Sequence, residues 1–106
     1  MSMDFGKLAE QARQMQEELK RLQAEAEREI VTASAGGGMV KVTATAGGEI
    51  QKIEIDPKAI DPNDPELLAD LVTAAVNEAL RSGRSLLESK LSSLLPGDLG
   101  GLLPGM

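Results

Sequence analysis

The chain has 106 residues and a mass of 11.2 kDa, enough for one domain and too little for two. It carries 11 Lys and Arg against 17 Asp and Glu, a net charge of −6, and it has no His, Cys, Trp or Tyr; Phe5 is its one aromatic residue. Without imidazole or thiol there is no Ser-His-Asp triad, no cysteine nucleophile and no His/Cys zinc site, so the expectation is a non-enzymatic binding protein with no cofactor and no metal.

The lack of cysteine fits a reducing compartment, and a cytoplasmic location is expected. No apolar run approaches the roughly 20 residues of a membrane span, and the N-terminus has no signal-peptide core, so no membrane partner is expected. Charge is unevenly spread. Residues 1–30 hold five basic and seven acidic side chains, residues 31–60 three of each, and residues 61–106 three and seven.

The first element is a long helix, expected over about 4–29. Phe5, Leu8, Ala12, Met15, Leu19, Leu22 and Ala26 recur at alternating intervals of 3 and 4, a heptad seam narrower than the stripe of a helix lying on a globular core. Asp4 or Ser2 can cap its start. About 26 helical residues make a rod of roughly 39 Å. Because a compact chain of about 100 residues has a radius of gyration near ~13 Å, the rod is expected to project from the body. So short a seam needs a partner helix, either the second helix of the same chain or another copy.

Residues 30–56 predict a three-stranded antiparallel meander, with strands over about 30–35, 38–46 and 49–56 and turns at the glycine clusters Gly36-Gly37-Gly38 and Gly47-Gly48. A two-residue turn at Gly47-Gly48 pairs Ala46 with Glu49. Val42 then opposes Ile53 and Val40 opposes Ile55 on one face. On the other, Lys41 opposes Glu54 and Thr43 opposes Lys52, predicting a cross-strand ion pair. A turn at Gly36-Gly37 sets Ala33 beside Val40 and Val31 beside Val42; a loop of all three glycines places Ser34 beside Val40, and the shorter turn is preferred.

Asp56-Pro57, Asp61-Pro62 and Asp64-Pro65 punctuate the loop that follows, and Asp64-Pro65 with Glu66 opens a second long helix, expected over about 64–95. Its stripe runs through Leu68, Val72, Ala75, Ala79, Leu86, Leu87, Leu91, Leu94 and Leu95. Gly83 interrupts it, either as a tolerated weak spot costing about 1 kcal/mol relative to Ala or as a place of close helix contact or hinging. The single domain therefore ends near residue 95, and residues 96–106 read as a flexible Gly/Pro/Leu tail containing Leu99, Leu102, Leu103 and Met106.

Two features that mimic sites read more simply. The three glycines at 36–38 continue into Met39-Val40-Lys41-Val42 as strand, so they are a hairpin turn and not a phosphate loop. Asp56, Asp61 and Asp64 lack calcium-loop spacing and read as helix caps. The basic residues of the first helix have more to offer. At about 100° per residue, Arg13, Lys20, Arg21 and Arg28 form a stripe almost opposite the apolar seam. Such a row can follow a phosphate backbone. It is equally an ordinary solvated face, since Glu10, Glu17 and Glu25 sit among the cations and Arg13–Glu17, Glu17–Arg21 and Arg21–Glu25 are i,i+4 pairs. Arg81, Arg84 and Lys90 on the second helix do not share one face.

Taken together, the chain resembles the YbaB/EbfC family of bacterial nucleoid-associated proteins. The residues that carry the resemblance are Gln11-Ala12-Arg13-Gln14-Met15-Gln16, Ser34-Ala35-Gly36-Gly37-Gly38-Met39-Val40-Lys41-Val42, Ile53-Glu54-Ile55-Asp56-Pro57, the run from Glu66 to Leu80, and the ending Leu103-Pro104-Gly105-Met106. The resemblance implies an α+β fold, an α-β-β-β-α protomer whose three-stranded meander lies between two long helices, assembled as a tweezer-like homodimer. It also implies a cytoplasmic, nucleoid-located protein that binds double-stranded DNA with little sequence specificity, alters its conformation and affects nucleoid organisation and gene expression. DNA contact in the family is attributed to the two long helices, which here implies Arg13, Lys20, Arg21 and Arg28, with Arg81, Arg84 and Lys90 behind them. The partners expected are double-stranded DNA and a second copy of the chain, with no small-molecule substrate. Two copies at −6 carry −12, so only a locally basic surface can recruit DNA. The rival expectation is a protein scaffold or prefoldin-like holdase that uses its coiled-coil arms.

Overall fold

The computed structural model describes residues 4–94, in the order α1 (Phe5–Glu27), β1 (Ile30–Ala35), β2 (Val40–Thr45), β3 (Ile50–Ile55), a 3-10 turn (Pro57–Ala59) and α2 (Pro65–Ser92). This is the α-β-β-β-α order expected, with an antiparallel sheet in the spatial order β1-β2-β3. Ser2, Leu95 and the tail 96–106 lie outside the described residues.

Capping explains the helix starts. The Asp4 carboxylate accepts the Lys7 N–H at 3.0 Å, and the Asp64 carboxylate accepts the Leu67 N–H at 3.2 Å, with Pro65 filling the first turn of α2. Asp56 and Asp61 likewise accept the N–H groups of Lys58 and Asn63, both at 2.9 Å. All three aspartates of the Asp-Pro loop are thus occupied in shaping the backbone.

Alpha-1 ends two residues before the expected position, and the β2–β3 loop finishes it. Gly47 N–H donates to the Glu27 carbonyl at 2.9 Å, satisfying a carbonyl that the helix end leaves open, and Ala46 N–H donates to the Glu29 carbonyl at 2.8 Å just beyond it. Gly47 is needed for this approach, because a Cβ there would lie 3.2 Å from the Glu27 carbonyl oxygen.

The β2–β3 register is as expected over Val40–Ile55, Lys41–Glu54, Val42–Ile53 and Thr43–Lys52. The turn is not. Thr45 N–H donates to the Glu49 carbonyl at 2.8 Å, so the loop is the three residues Ala46 to Gly48, and Ala46 N–H turns to Glu29 instead of pairing with Glu49. A bulge restores the register: Ala44 pairs with Ile50 and Thr43 with Lys52, leaving Gln51 as the extra residue. The first hairpin also differs. Gly36 to Met39 form a four-residue connection, closed by Met39 N–H on the Gly36 carbonyl, and Ala35 rather than Ala33 faces Val40. All three glycines have positive φ, which explains a loop built from them. Since the shift is two residues, Val31, Ala33 and Ala35 keep their expected face. The cross-strand ion pair is also corrected: Glu54 meets Lys52 on its own strand at 3.2 Å and not Lys41.

The core is small and closely packed. Val40, Val42 and Ala44 of β2 are fully buried beneath Ala75 and Ala79 of α2, with Val31, Ala33, Ala35, Leu68, Leu71, Val72 and Val76 around them. Small residues on the helix let it sit low on the sheet. Gly83 carries this furthest: it is buried, and a Cβ would lie 3.0 Å from the Thr45 carbonyl oxygen and 3.2 Å from the Ala46 Cα. The glycine is therefore a point of close contact, made with the sheet's end and not with another helix. Gly83→Ala should gain about 1 kcal/mol of helix propensity and lose more to overpacking, which typically costs about 1–3 kcal/mol. A lowered melting temperature in calorimetry checks the sign.

Alpha-1 is not packed on this core. The described residues extend 81 × 25 × 16 Å with a radius of gyration of 20.8 Å, far above the ~13 Å of a compact chain of this length. Along the seam Ala26 is buried and Leu22 half-buried, while Phe5 (72%), Leu8, Met15 (67%) and Leu19 are exposed. The helix projects as a rod, as its heptad spacing predicts.

Candidate nucleic-acid interface

The seven basic residues singled out in the sequence fall into three places. Arg13, Lys20 and Arg21 lie on the projecting rod, and Arg28 caps its C-terminal end. Arg81 and Arg84 lie on α2 beside β1, and Lys90 lies where the last turns of α2 meet the base of α1.

On the rod, the two arginines are clamped. Arg13 bonds Glu10 and, at 2.5 Å, Glu17; Arg21 bonds Glu18 and, at 2.8 Å, Glu25. The i,i+3 partners Glu10 and Glu18 were not apparent from an i,i+4 reading, and the Glu17–Arg21 pair does not form. The Glu10 hydrogen bond raises the Arg13 pKa above its ordinary value, and Glu18 does the same for Arg21. Reciprocally, the Arg21 hydrogen bond holds the Glu18 carboxyl below its ordinary value. Lys20 and Arg28 have no ion-pair partner among the described residues. They stand eight positions apart, a rise of about 12 Å. The structure thus divides the stripe into two cations already neutralised on their own helix and two that are open.

Alpha-2 is divided in the same way. Arg81 pairs with Glu78 at 2.8 Å, whereas Arg84 has no ion-pair partner among the described residues. Arg81 and Arg84 share one surface, lining a groove of about 500 Å³ with Ser34, Asn77 and Glu78, and Lys90 does not join them. Asn77, Arg81 and Arg84 are spaced i, i+4 and i+7, a periodicity present in the sequence, although Ser34 joins them only through the fold. Lys90 points elsewhere, to Glu29 at 3.6 Å.

Because Glu18 is held below its ordinary pKa, its contact with Arg21 is fully formed above the unfolded value and is lost as pH falls through the lowered folded value. Glu18→Gln removes one of Arg21's two carboxylate partners at neutral pH and leaves Glu25 as the other. It should tighten binding to a DNA duplex by up to about fivefold, the scale of an exposed ion pair, and fluorescence anisotropy at fixed salt measures it.

Among the described residues no helix is long and apolar enough to cross a membrane. The model of the YbaB/EbfC DNA-binding family matches residues 1–99. A nucleoid-associated protein of Streptomyces avermitilis is 48% identical over 99 residues, covering 93% of this chain and 88% of that one. A nucleoid-associated protein of Acetivibrio thermocellus is 44% identical over 103 residues, covering 97% and 89%. The crystal structure of the uncharacterized protein HP0035 from Helicobacter pylori superposes with a TM-score of 0.70 at 25% identity, covering 90% of this chain and all of that one. The family's description as DNA-binding favours DNA over the prefoldin-like alternative. With its helix-meander-helix order, projecting rod and open cations, the chain belongs to the YbaB/EbfC DNA-binding family.

Proposed function

We propose that this protein is a non-enzymatic, nucleoid-located architectural protein that binds the backbone of double-stranded DNA as a homodimer. The observation that carries the reading is the pair of open cations, Lys20 on the projecting helix and Arg28 at its base beside the β2–β3 loop, in a DNA-binding family member. Arg84 supplies a further open cation on α2, and Arg13, Arg21, Arg81 and Lys90 contribute by exchanging carboxylate for phosphate. Cations on long side chains meeting phosphates position a protein on DNA without reading bases, so little sequence preference is expected, and two such arms can change the path of the duplex between them.

Dimerisation is supported by what α2 leaves uncovered. Ile53 and Ile55 lie on the same sheet face as Val40 and Val42, yet they are 42% and 38% exposed because α2 packs over β1 and β2 and not over β3. Ile60 and Leu67, on the segments after β3, are exposed as well. A second copy that presents the same surface closes this face by two-fold symmetry.

A salt titration on random-sequence duplexes tests the function. Binding should weaken linearly in log K against log salt, with a slope of about −0.9 for each phosphate engaged. No binding at the lowest salt, or an affinity that ignores salt, would falsify the reading.

A further inference from the structure

We infer that the apolar seam of α1 is a docking surface for this chain's own C-terminal segment, residues 95–106. Three observations carry it. Among the described residues nothing covers the seam from Phe5 to Leu19, although its base is covered. What covers the base is the end of α2: Lys90, Ser93 and Leu94 line a shallow groove with Leu22, Glu25, Ala26 and Glu29 of α1. Since α1 runs into the sheet and α2 runs out of it at the same end, the two helices are antiparallel there. The chain therefore leaves Leu94 at the foot of the bare seam.

Composition and length fit the seam. Residues 95–106 hold Leu95, Leu99, Leu102, Leu103 and Met106 and one charge, Asp98. From Leu22 to Phe5 the seam rises about 26 Å. The segment can span up to about 40 Å when extended, so it reaches the tip of α1 with length to spare. Its leucines would cover Leu19, Met15 and Leu8, the face opposite Lys20 and Arg28. The cations stay open, and DNA contact and tail docking occupy different sides of one helix. This inference does not rest on the DNA-binding reading.

The absence of cysteine from the chain makes the test clean. In the 106-residue chain, Met15→Cys with Leu99→Cys places a pair across the proposed contact. Glu17→Cys with Leu99→Cys is the control, two residues away on the opposite side of α1. A docked tail holds the first pair within disulfide reach, so under mild oxidation it should close within a single chain at least about tenfold faster than the control. Adding Leu102→Ser and Leu103→Ser should bring its rate down to that of the control. Equal rates for the two pairs overturn the inference. So does a first pair that links only two chains, because the seam is then covered by another copy.

Discussion

Replacing Lys20 and Arg28 with glutamine in the same chain should weaken duplex binding about a hundredfold for each arm engaged at 0.1 M salt. Each phosphate engaged by a previously open cation releases close to one condensed counterion from the duplex, which at that salt corresponds to about tenfold in affinity. The slope of log K against log salt should become shallower by about 2 for each arm engaged. Both side chains are exposed and neither has an ion-pair partner among the described residues, so the circular dichroism of the protein should not change.

The matching substitution of Arg13 and Arg21 should behave differently. Each already bonds two carboxylates, Glu10 and Glu17 or Glu18 and Glu25. When such an arginine turns to a phosphate it frees a cation from DNA and leaves glutamates that attract one back, so little net release follows. Arg13→Gln with Arg21→Gln is expected to lower affinity only severalfold and to leave the salt slope nearly unchanged. Equal losses from the two double variants would show that the clamps do not matter, and the division of the stripe would have to be abandoned. The same logic reconciles a charge of −6 with DNA binding, because what counts is which cations are open along the rod and not the sum over the chain.

How far the sequence could have led to these statements depends on the interaction. The heptad spacing from Phe5 to Ala26 is a local periodicity, and it led correctly to a projecting helix. Alternation in β2 and β3 fixed which residues face each other from Val40–Ile55 to Thr43–Lys52. Loop geometry was less accessible, since a three-residue loop with a bulge at Gln51 and a two-residue loop without one give the same pairing beyond them. The ion partners were obscured because i,i+3 and i,i+4 glutamates surround Arg13 and Arg21 alike, and only side-chain geometry selects among them. Gly83 was ambiguous for a different reason: what a missing side chain makes room for lies across the fold, at Thr45 and Ala46. The bare flank of the sheet follows from size. A helix about 10 Å across covers two strands spaced by about 4.8 Å and leaves the third, so alternation in β3 marks Ile53 and Ile55 as apolar without saying that their cover must come from elsewhere.

That uncovered flank gives the second large effect. Ile53→Lys with Ile55→Lys should convert the proposed dimer to monomers at micromolar concentration while leaving each protomer folded. Each isoleucine is about three-fifths buried within its own chain, so closing the remainder contributes about 1 kcal/mol per residue. Two-fold symmetry counts each residue twice, giving about 4 kcal/mol and about a thousandfold in the dimer dissociation constant, before any cost of desolvating the new ammonium groups. The protomer tolerates the change because the aliphatic stem of lysine can lie along the same sheet surface with its charge in water. Sedimentation equilibrium reads the outcome directly. A mass of two chains in the variant would move the interface away from β3, and Met15→Lys with Leu19→Lys would then ask whether two arms pair along their seams instead. With the dimer lost, the two arms no longer share a duplex. Affinity should fall towards that of one arm and the salt slope should halve, which ties the isoleucine face to DNA binding although neither residue approaches a phosphate.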